Sequence, residues 1–443
     1  MGRNGQILRV SVIGTGYLGL THAICMADLG HEVLAIDVDA DKIAMAARGE
    51  TPFFEPGLEP LLRKNLDAGR LRFTDSFAEV GEFADVHFIC VGTPQAKGSG
   101  GNADLSYVFS ASDALAPHLT RATLLVGKST VPVGTSREII ARVHAAAPAG
   151  DLVDYAFNPE FLREGYAVQD SLTPDRIVFG VTSATADELM RAVYATPLAS
   201  GIPGLTMDLE TAELVKVAAN SFLATKISFI NEIARICEKL EADVTVVAEG
   251  MGMDARIGPA FLDAGIGFGG SCFPKDVRAL ARMAQEMGYH PELLHTVMDI
   301  NKDMRKLVVD RLQELLGGLR GQRIGILGLS YKPNTDDLRD APSLDIIESL
   351  LRKGAQVQVF DPVSMAKAKH LLNGGVISAR DAYGAARKAD ALAVLTEWNE
   401  FRSLDLRRLK QAMRRPVIVD GRNIWEPDRM RDMGFVYRGI GRR

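Results

Sequence analysis

Apolar positions along the chain alternate between short runs and helical spacing. Runs such as "LRVSVIG", "HEVLAIDV" and "ADVHFICVG" predict buried strands, and each is followed by apolar residues that recur every three or four positions. The same alternation returns after residue 322 in "RIGILGLSYK", "AQVQVFDP" and "PVIVDGRN". Strands that alternate with helices are typical of parallel sheets covered on both faces. The pattern predicts an α/β protein with two Rossmann-like, doubly wound domains.

The region between these two domains has a helical pattern. Residues 211–242 contain neither Gly nor Pro, and their apolar spacing predicts one long amphipathic helix. Upstream, "DYAFNPEFLREG" and "DRIVFGV" are predicted to extend the first parallel sheet. The predicted domains are a dinucleotide-binding domain over 1–205, a central helical domain over 206–305 and a nucleotide-binding domain over 306–443.

Composition narrows the function classes. The chain has 443 residues and a formal net charge of −5, so it offers no general attraction for nucleic acid. No signal-peptide pattern or membrane-spanning apolar run is present, and the four scattered cysteines form no CxxC pair. We therefore expect a cytoplasmic protein with no membrane partner, no disulfide framework and no metal site.

A glycine pattern after the first strand indicates a dinucleotide site. Gly14, Gly16 and Gly19 form G-x-G-x-x-G between a strand and a helix, where the phosphates of a dinucleotide can meet free N–H groups and the positive end of the helix dipole. Asp37 ends the next strand, where a carboxylate can accept from both ribose hydroxyls. Because a carboxylate repels a 2′-phosphate and no Arg follows it, the pattern favours NAD over NADP.

A second glycine turn, at Gly325 and Gly328, lacks the full pattern. A second dinucleotide site is therefore not predicted. Lys332 and Arg339 follow in "SYKPNTDDLR", so this turn is interpreted either as a site for a different nucleotide or as a solvated charged loop.

Cys272 differs in its surroundings from the other cysteines. It lies in "GFGGSCFPKD", after the glycines Gly267, Gly269 and Gly270, which we expect to leave the sulfur open to a bulky substrate. Pro274 suits the first turn of a helix, which places Cys272 at or next to the N-cap, where the helix dipole and the cation of Lys275 favour a thiolate. The other three cysteines have apolar neighbours and are predicted to be buried.

An NAD site together with a nucleophilic thiol points to aldehyde oxidation. The sulfur would add to a carbonyl, the adduct would lose a hydride, and water would release an acid from the thioester. Candidates for the base, the oxyanion donors and the water-holding group are Glu160, Glu164, Thr130, Lys216 and Asn220. Taken singly, each of these residues is better explained by a surface or capping role.

The ordered motifs resemble those of the UDP-glucose/GDP-mannose dehydrogenase family. The resemblance covers nearly the whole chain and includes "GTGYLGL", "KSTVPVGT", "NPEFLREG", "AELVKVAANSFLATKISFINEIA", "RIGPAFLDAGIGFGGSCFPKD" and "YKPNTDDLRDAPS". It implies two successive NAD-dependent oxidations at C6 of a nucleotide sugar, from alcohol to carboxylate without release of the aldehyde. "SCFPKD" and "RIGPAFL" favour UDP-glucose as the substrate and UDP-glucuronate, a precursor for polysaccharide biosynthesis, as the product.

The resemblance also implies residue roles. Cys272 would be the nucleophile, Lys216 and Asn220 would stabilise negative charge at the C6 oxygen, Asp276 and Thr130 would orient water, and Glu160 would be the base for hydrolysis. The implied cofactor residues are Gly14, Gly16, Tyr17, Leu18, Gly19, Asp37, Lys42, Thr93, Thr130, Glu164, Lys275 and Arg339. The implied substrate residues are Glu160, Phe161, Leu162, Arg163, Glu164, Lys216, Asn220, Arg256, Phe261, Leu262, Asp263, Ala264, Gly265, Gly269 and Lys332.

Two further expectations concern partners and specificity. Arg256 matches an arginine that, in relatives, reaches the substrate of the neighbouring subunit, which implies an obligate oligomer. The long apolar face of the central helix predicts that this oligomer is a homodimer formed through that helix. Asp263 stands where animal relatives have a lysine, which leaves more of the diphosphate to Lys332 and to backbone N–H groups. The alternatives are a dehydrogenase for GDP-mannose or a UDP-N-acetylhexosamine, a two-electron 3-hydroxyacid dehydrogenase, and a sensor that binds NAD and a nucleotide sugar without turnover.

Overall fold

The structure is a computed structural model that describes residues 6–96, 103–372 and 375–442. The chain divides into two compact units, the first ending at Ala219 and the second beginning at Asn220. One helix, α10 (Leu209–Leu240), contains this boundary, and it confirms the long helix predicted for residues 211–242.

The first unit contains an eight-stranded sheet with helices between its strands. Its elements are β1 (Arg9–Ile13), α1 (Tyr17–Asp28), β2 (Glu32–Ile36), α2 (Ala40–Ala47), α3 (Leu58–Asp67), β3 (Leu71–Thr74), α4 (Phe77–Phe83), β4 (Val86–Ile89), α5 (Ser106–Leu115), β5 (Thr123–Gly127), α6 (Thr135–Ala146), β6 (Val153–Phe157), α7 (Ala167–Leu172), β7 (Ile177–Val181), α8 (Ala184–Val193), α9 (Ala195–Ala199) and β8 (Gly204–Met207).

The strand order of this sheet is β3-β2-β1-β4-β5-β6-β7-β8. Its first six strands are parallel, and the order reverses between β1 and β4, which is the point where doubly wound sheets bind their ligands. The prediction that the segment "DRIVFGV" extends a parallel sheet is wrong in direction, because β7 pairs with β6 antiparallel. A hairpin-like return needs no crossover helix, and the chain from β6 to β7 contains only the short α7.

The second unit contains the rest of α10 and a six-stranded sheet, with helices before and between the strands. The elements after α10 are α11 (Val244–Gly252), α12 (Phe273–Glu286), α13 (Glu292–Leu316), β9 (Arg323–Leu327), α14 (Pro342–Arg352), β10 (Gln356–Phe360), α15 (Met365–Leu371), β11 (Val376–Ser378), α16 (Ala382–Ala386), β12 (Ala391–Val394), α17 (Asn399–Arg402), α18 (Leu406–Ala412), β13 (Val417–Asp420), α19 (Pro427–Asp432) and β14 (Val436–Arg438).

The second sheet is parallel throughout, in the order β11-β10-β9-β12-β13-β14. This is the strand order of the first six strands of the first sheet, which confirms the prediction of two Rossmann-like domains. The central strands are buried on both faces, so they appear in the sequence as continuous apolar runs and not as alternating ones. Each sheet therefore presents the carboxyl ends of its central strands as the edge on which a site can be built.

Candidate active site

The glycine turn after β1 has the geometry of a dinucleotide site. Gly14 has a φ of +96°, which favours glycine, and a Cβ at Gly19 would lie 1.8 Å from the Gly14 carbonyl oxygen, so α1 can approach β1 only because residue 19 has no side chain. A Cβ at Gly16 would meet nothing within 4 Å. Open space above the N-cap of α1 is where a pyrophosphate can reach the backbone.

Asp37 is half-buried directly after β2 and holds the same turn in place. Its Oδ2 accepts from Thr15 N at 2.7 Å and from Thr15 Oγ1 at 2.9 Å, and its Oδ1 accepts from Asp39 N at 3.0 Å. Lys42 lies one turn into α2, with Nζ 3.3 Å from Asp39 Oδ2. These contacts fit an NAD site, and they show that the predicted ribose acceptor also has a structural role.

Two threonines meet at the carboxyl ends of β4 and β5. Thr93 Oγ1 donates to the backbone carbonyl of Thr130 at 2.8 Å, and Ser129 Oγ donates to the carbonyl of Val91 at 2.7 Å. These bonds join the "VGTP" and "KSTVPVG" loops. Both predicted threonines therefore lie at the edge of the sheet that carries the glycine turn.

A buried ion pair joins the loop after β6 to α10. Lys216 Nζ lies 3.0 Å from Glu160 Oε1, with side-chain exposures of 3% and 12%, and Glu160 Oε2 accepts from Leu162 N at 2.6 Å. Two cations lie over the ring of Phe161, with Lys216 Nζ 5.5 Å and Arg176 Cζ 3.8 Å from the ring centroid. The pair gives this loop a fixed carboxylate and a fixed ammonium group in a low-dielectric setting.

The rest of the "NPEFLREG" loop divides between surface and interior. Arg163 is an exposed side chain held by Asp170, with Nε 2.9 Å from Oδ2 and its other nitrogen 2.6 Å from Oδ1. Glu164 is buried, at 7% exposure. A substrate that contacts the Arg163 guanidinium would therefore have to compete with Asp170 for it.

Behind the ion pair is a buried lysine that the sequence analysis did not predict. Lys128, at 6% exposure, donates to Asn158 Oδ1 at 2.8 Å and to Tyr194 Oη at 3.2 Å, and both partners are neutral. Burial lowers the pKa of Lys128 to about 8, a shift that the nearby Glu160 opposes. The lysine of the "KST" motif is visible in the sequence. Its burial could not be predicted, because its partners Asn158 and Tyr194 lie far away along the chain.

In the second unit, Cys272 is the N-cap residue of α12 and is half-buried, whereas the other three cysteines are buried. Both results confirm the sequence predictions. Burial raises the pKa of Cys25 and of Cys90 to about 12, which makes these thiols unreactive. Ser271 Oγ lies 3.4 Å from Cys272 Sγ.

The glycines before Cys272 are crowded by other parts of the same unit. A Cβ would lie 2.3 Å from Asn301 Oδ1 at Gly267, 2.3 Å from the Asp340 carbonyl oxygen at Gly269 and 2.7 Å from the Tyr331 ring at Gly270. That they also leave the sulfur open to a substrate stays a prediction. Packing of the loop alone is sufficient to require these residues.

Asn220 and Asp276 form a second buried pair. Asn220 Nδ2 donates to Asp276 Oδ2 at 2.6 Å, and Lys275 Nζ lies 2.7 Å from Asp276 Oδ1. Asp276, at 1% exposure, also donates its backbone N–H to the Cys272 carbonyl at 2.8 Å. Lys216 and Asn220 are four residues apart on α10, so their side chains leave the helix on one face.

The other predicted ligand residues of this unit, including the predicted cofactor residue Arg339, lie in two loops, one between α11 and α12 and one between β9 and α14. In the segment Phe261–Gly265, Phe261 has a φ of +65°, and Gly265 N donates to Asn231 Oδ1 at 2.8 Å. Leu262 and Ala264 are buried and Asp263 is exposed. Lys332 Nζ lies 5.4 Å from the ring centroid of Tyr331, Arg339 donates to Asp337 through Nε at 2.8 Å, and the 89% exposed side chain of Arg256 contacts Asp254.

Within the described ranges, no group of three or more His, Cys, Asp or Glu side chains could hold a metal ion. None of the helices in those same ranges is long and apolar enough to cross a bilayer.

Three family models match consecutive parts of the chain. They describe the NAD binding domain (residues 8–198), the central domain (210–303) and the UDP binding domain (325–427) of the UDP-glucose/GDP-mannose dehydrogenase family. The chain belongs to this family. Its membership makes NAD the cofactor, and the first glycine turn lies within the NAD binding domain.

Relatives in this dehydrogenase family match along their whole length. The chain is 46% identical to a UDP-glucose 6-dehydrogenase of Rhizobium meliloti, covering 98% of this chain and 100% of that one. It is 46% identical to a UDP-glucose 6-dehydrogenase of Pseudomonas aeruginosa, covering 98% of each. Among solved structures, a UDP-glucose dehydrogenase from Pyrobaculum islandicum gives a TM-score of 0.92 at 39% identity over all of both chains.

The residues that sequence reasoning missed are buried polar side chains that hold the loops of the candidate site in place. Besides Lys128 with Asn158 and Tyr194, they include Glu55, a carboxylate with 6% exposure in the segment "TPFFEPG" between α2 and α3. The proline and glycine of that segment indicated only a turn. A glutamate between two aromatic residues and a proline was the one available hint of burial.

Proposed function

We propose that the chain is a UDP-glucose 6-dehydrogenase that oxidises C6 twice with NAD and produces UDP-glucuronate. The full-length similarity to enzymes of that name supports the substrate. The structural observation that carries the mechanism is Cys272, a half-buried thiol at the N-cap of α12 in a protein whose other cysteines are buried. The reaction takes place in the cytoplasm, where free thiols persist.

The proposed reaction uses one member of each buried pair during oxidation and the other member of each pair during hydrolysis. NAD supplies the hydride acceptor for each oxidation, so two molecules of it are reduced per sugar. In the first oxidation, C6–OH loses a hydride, releases its proton to solvent water and becomes an aldehyde. Lys216 and Asn220 donate to the C6 oxygen while it carries negative charge, as in an oxyanion hole.

The Cys272 thiolate then adds to the aldehyde carbon and forms a thiohemiacetal. Loss of the second hydride from that carbon gives a thioester, and a water oriented by Thr130 and Asp276 attacks it. Glu160 accepts the proton of that water, the C–S bond breaks, and the thiolate is restored. The covalent intermediate explains why aldehyde would not be released between the two oxidations.

Cofactor and sugar contacts complete the assignment. The cofactor contacts are Gly14, Gly16, Tyr17, Leu18, Gly19, Asp37, Lys42, Thr93, Thr130, Glu164, Lys275 and Arg339. The sugar and nucleotide contacts are Glu160 to Glu164, Lys216, Asn220, Arg256, Phe261 to Gly265, Gly269 and Lys332. Because Arg163 and Arg339 each contact a neighbouring carboxylate, the assignment requires both to exchange that partner for a phosphate or to contact the ligand through the backbone.

The decisive experiment measures NADH formed per nucleotide sugar. We expect two per UDP-glucose and little turnover of GDP-mannose or UDP-N-acetylhexosamines. The substitution Cys272→Ser should lower kcat by at least about a thousandfold while NAD binding is retained, because serine is a far weaker nucleophile. Cys237→Ala, which removes a buried thiol, is the matched control and should keep wild-type turnover. One NADH per sugar, or full activity of Cys272→Ser, would refute the mechanism.

The enzyme is further proposed to be a homodimer formed through α10. Phe222, Phe229, Ile236 and Leu240 have relative exposures of 65%, 44%, 46% and 73%, and they lie within about 40° of one another around the helix axis. Such an exposed apolar stripe is typical of a helix that packs against a partner. We expect Phe229→Asp to convert a dimer to monomers in light scattering, whereas Leu371→Asp, on α15, leaves its size unchanged.

Arg256 provides a test of whether subunits share active sites. Its side chain is 89% exposed, and the proposal is that it completes the neighbour's site. Mixing inactive Arg256→Ala with inactive Cys272→Ser should then restore about a quarter of wild-type activity, because half of the randomly formed dimers carry one intact site. The pair Lys216→Ala with Cys272→Ser is the control and should restore none. No recovery in the first mixture would show that Arg256 serves its own subunit.

A further inference from the structure

The segment Thr51–Gly57, "TPFFEPG", lies between α2 and α3 and has no place in the proposed reaction. Its Glu55 side chain is nevertheless buried, at 6% exposure. A buried carboxylate is costly unless donors surround it, so the identity of those donors indicates what the residue does.

Glu55 accepts from three donors that come from two parts of the proposed site. Tyr17 Oη donates to Oε2, and the N–H of Gly165 donates to the same oxygen at 2.7 Å. The N–H of Ala167 donates to Oε1 at 2.8 Å. Tyr17 is the first residue of α1, directly after Gly16, and Gly165 directly follows Glu164. One carboxylate therefore bonds both the cofactor turn and the end of the "NPEFLREG" loop.

The contact is well defined on the tyrosine side. The rings of Tyr17 and Phe53 pack with centroids 4.8 Å apart, so the same segment holds both the ring and the hydroxyl of Tyr17. Burial and the adjacent Glu55 raise the pKa of Tyr17, which keeps its hydroxyl protonated as a donor. Gly165 also donates to Tyr17 Oη at 3.3 Å, which closes a ring of three bonds.

The backbone of the loop depends on these bonds. Gly165 has a φ of +82°, so the loop turns sharply after Glu164 and returns to α7 at Ala167. Glu55 accepts from the N–H of Gly165 in this turn and from the N–H of Ala167, the first residue of α7. Movement of the first turn of α1 would displace Tyr17 Oη, and Glu55 would transmit that displacement to Gly165.

We propose that Glu55 is a positioning residue that couples the occupancy of the cofactor turn to the order of the loop containing Glu160 and Glu164, so that NAD and the nucleotide sugar bind cooperatively. The inference rests on the proposed function for the identity of the sugar. Its other part, the response of the loop to NAD, does not depend on which sugar binds. Coupling between two sites within a protein is typically about fivefold to a hundredfold in affinity.

Tyr17→Phe isolates the link, because it removes one hydroxyl and leaves both backbone bonds of Glu55 in place. Glu55→Gln is the second variant, since an amide cannot accept from all three donors. Tyr166→Phe is the matched control: it removes the same atom from a 47% exposed side chain in the same loop. All variants are made in the full chain with Cys272→Ser, which blocks turnover during binding measurements.

The first measurement is hydrogen exchange of the Gly165 and Ala167 amides with NAD alone. We expect NAD to slow exchange at least about fivefold in the parent and in Tyr166→Phe, and to have little effect in Tyr17→Phe. Equal NAD protection in the parent and in Tyr17→Phe, at saturating NAD, would overturn the inference. Absence of any NAD protection in the parent would also overturn it, whatever the sugar substrate is.

The second measurement is the ratio of the UDP-glucose Kd values without and with NAD, by calorimetry. The ratio should be at least about fivefold in the parent and close to one in Tyr17→Phe and Glu55→Gln. An unchanged ratio in Tyr17→Phe would overturn the inference even if Glu55→Gln does not fold. A parent that binds NAD but no UDP-glucose would refute the proposed function, and the exchange measurement would still decide the cofactor half.

Discussion

Both sheets have a glycine with a positive φ after their first strand, Gly14 at +96° and Gly328 at +94°, and each donates its N–H to the last carbonyl of the neighbouring strand. An aspartate follows that neighbouring strand in both cases. Asp37 is half-buried with three donors, whereas Asp361 is 1% exposed with six. The two equivalent turns therefore differ in their acid: Asp37 lies near the surface, whereas Asp361 is enclosed.

The helices after the two turns differ as well. α1 begins at Tyr17, three residues after Gly14, while α14 begins at Pro342, fourteen residues after Gly328. Only the first turn therefore places the N-terminus of a helix where a phosphate could bind, and only its acid keeps exposed surface that a ribose could reach. The comparison shows that strand order alone does not make a dinucleotide site.

The largest expected difference concerns the glycines of the first turn. Gly19→Ala places a Cβ 1.8 Å from a backbone oxygen, so we expect a loss of about 2 kcal/mol or more in the free energy of unfolding and at least about a hundredfold loss of NAD affinity. Gly16→Ala is the control for stability: its Cβ enters open space, so unfolding should change by less than about 1 kcal/mol while NAD affinity still falls. Chemical denaturation and NAD titration measure both. Wild-type NAD affinity in Gly16→Ala would contradict the assignment of this turn.

The two aspartates should separate stability from binding. Asp361→Asn replaces an acceptor oxygen with an NH2 group among buried donors, so we expect a loss of about 2–4 kcal/mol in unfolding free energy with NAD affinity unchanged. Asp37→Asn should cost less than about 1 kcal/mol but lower NAD affinity about tenfold. Reversal of these two outcomes, measured by denaturation and titration, would mean that the second turn holds the cofactor.

The smallest expected effect concerns buried ionisable residues at the ends of β5 and β13, two strands that occupy equivalent positions in their sheets. Lys128 follows β5, and the buried Asp420 ends β13; burial lowers the pKa of the lysine to about 8 and raises the pKa of the aspartate. Below about pH 8 the folded chain carries a buried ammonium group, and above that pH it binds fewer protons than the unfolded chain. Stability conferred by this site therefore rises with pH, by about 1 kcal/mol between about pH 7.5 and 9.

Lys128→Met removes that pH dependence. The difference in unfolding free energy between wild type and Lys128→Met should shift by about 1 kcal/mol in favour of wild type across this interval. Lys42→Met, which removes a partly exposed lysine from the same unit, should produce no such shift. A constant difference between wild type and Lys128→Met would show that Lys128 keeps an ordinary pKa.

Features encoded by neighbouring residues could be predicted from the sequence. The turn at Gly14–Gly19, the long α10 and the N-cap position of Cys272 each depend on residues within one or two turns of the chain. The antiparallel direction of β7 could not be predicted, because an apolar run does not encode the direction in which a strand pairs. The residue roles in the site remain predictions that the experiments above address.

The buried supports depend on contacts between distant residues. Glu55 bonds to residues 38 and 110 positions away, and Lys128 bonds to Tyr194 across 66 positions. No local pattern encodes such pairs. The crowding of the glycines before Cys272 could not be predicted either, because Asn301, Tyr331 and Asp340 lie in other segments of the chain.

The contacts of Asp37 with Thr15 limit attempts to redesign the coenzyme preference of this enzyme. An engineer who replaces the acid to admit a phosphorylated adenosine also removes the acceptor of the Thr15 N–H and hydroxyl. A successful redesign must therefore rebuild residue 15 at the same time, and a library that varies position 37 alone will mostly return variants with a disturbed loop.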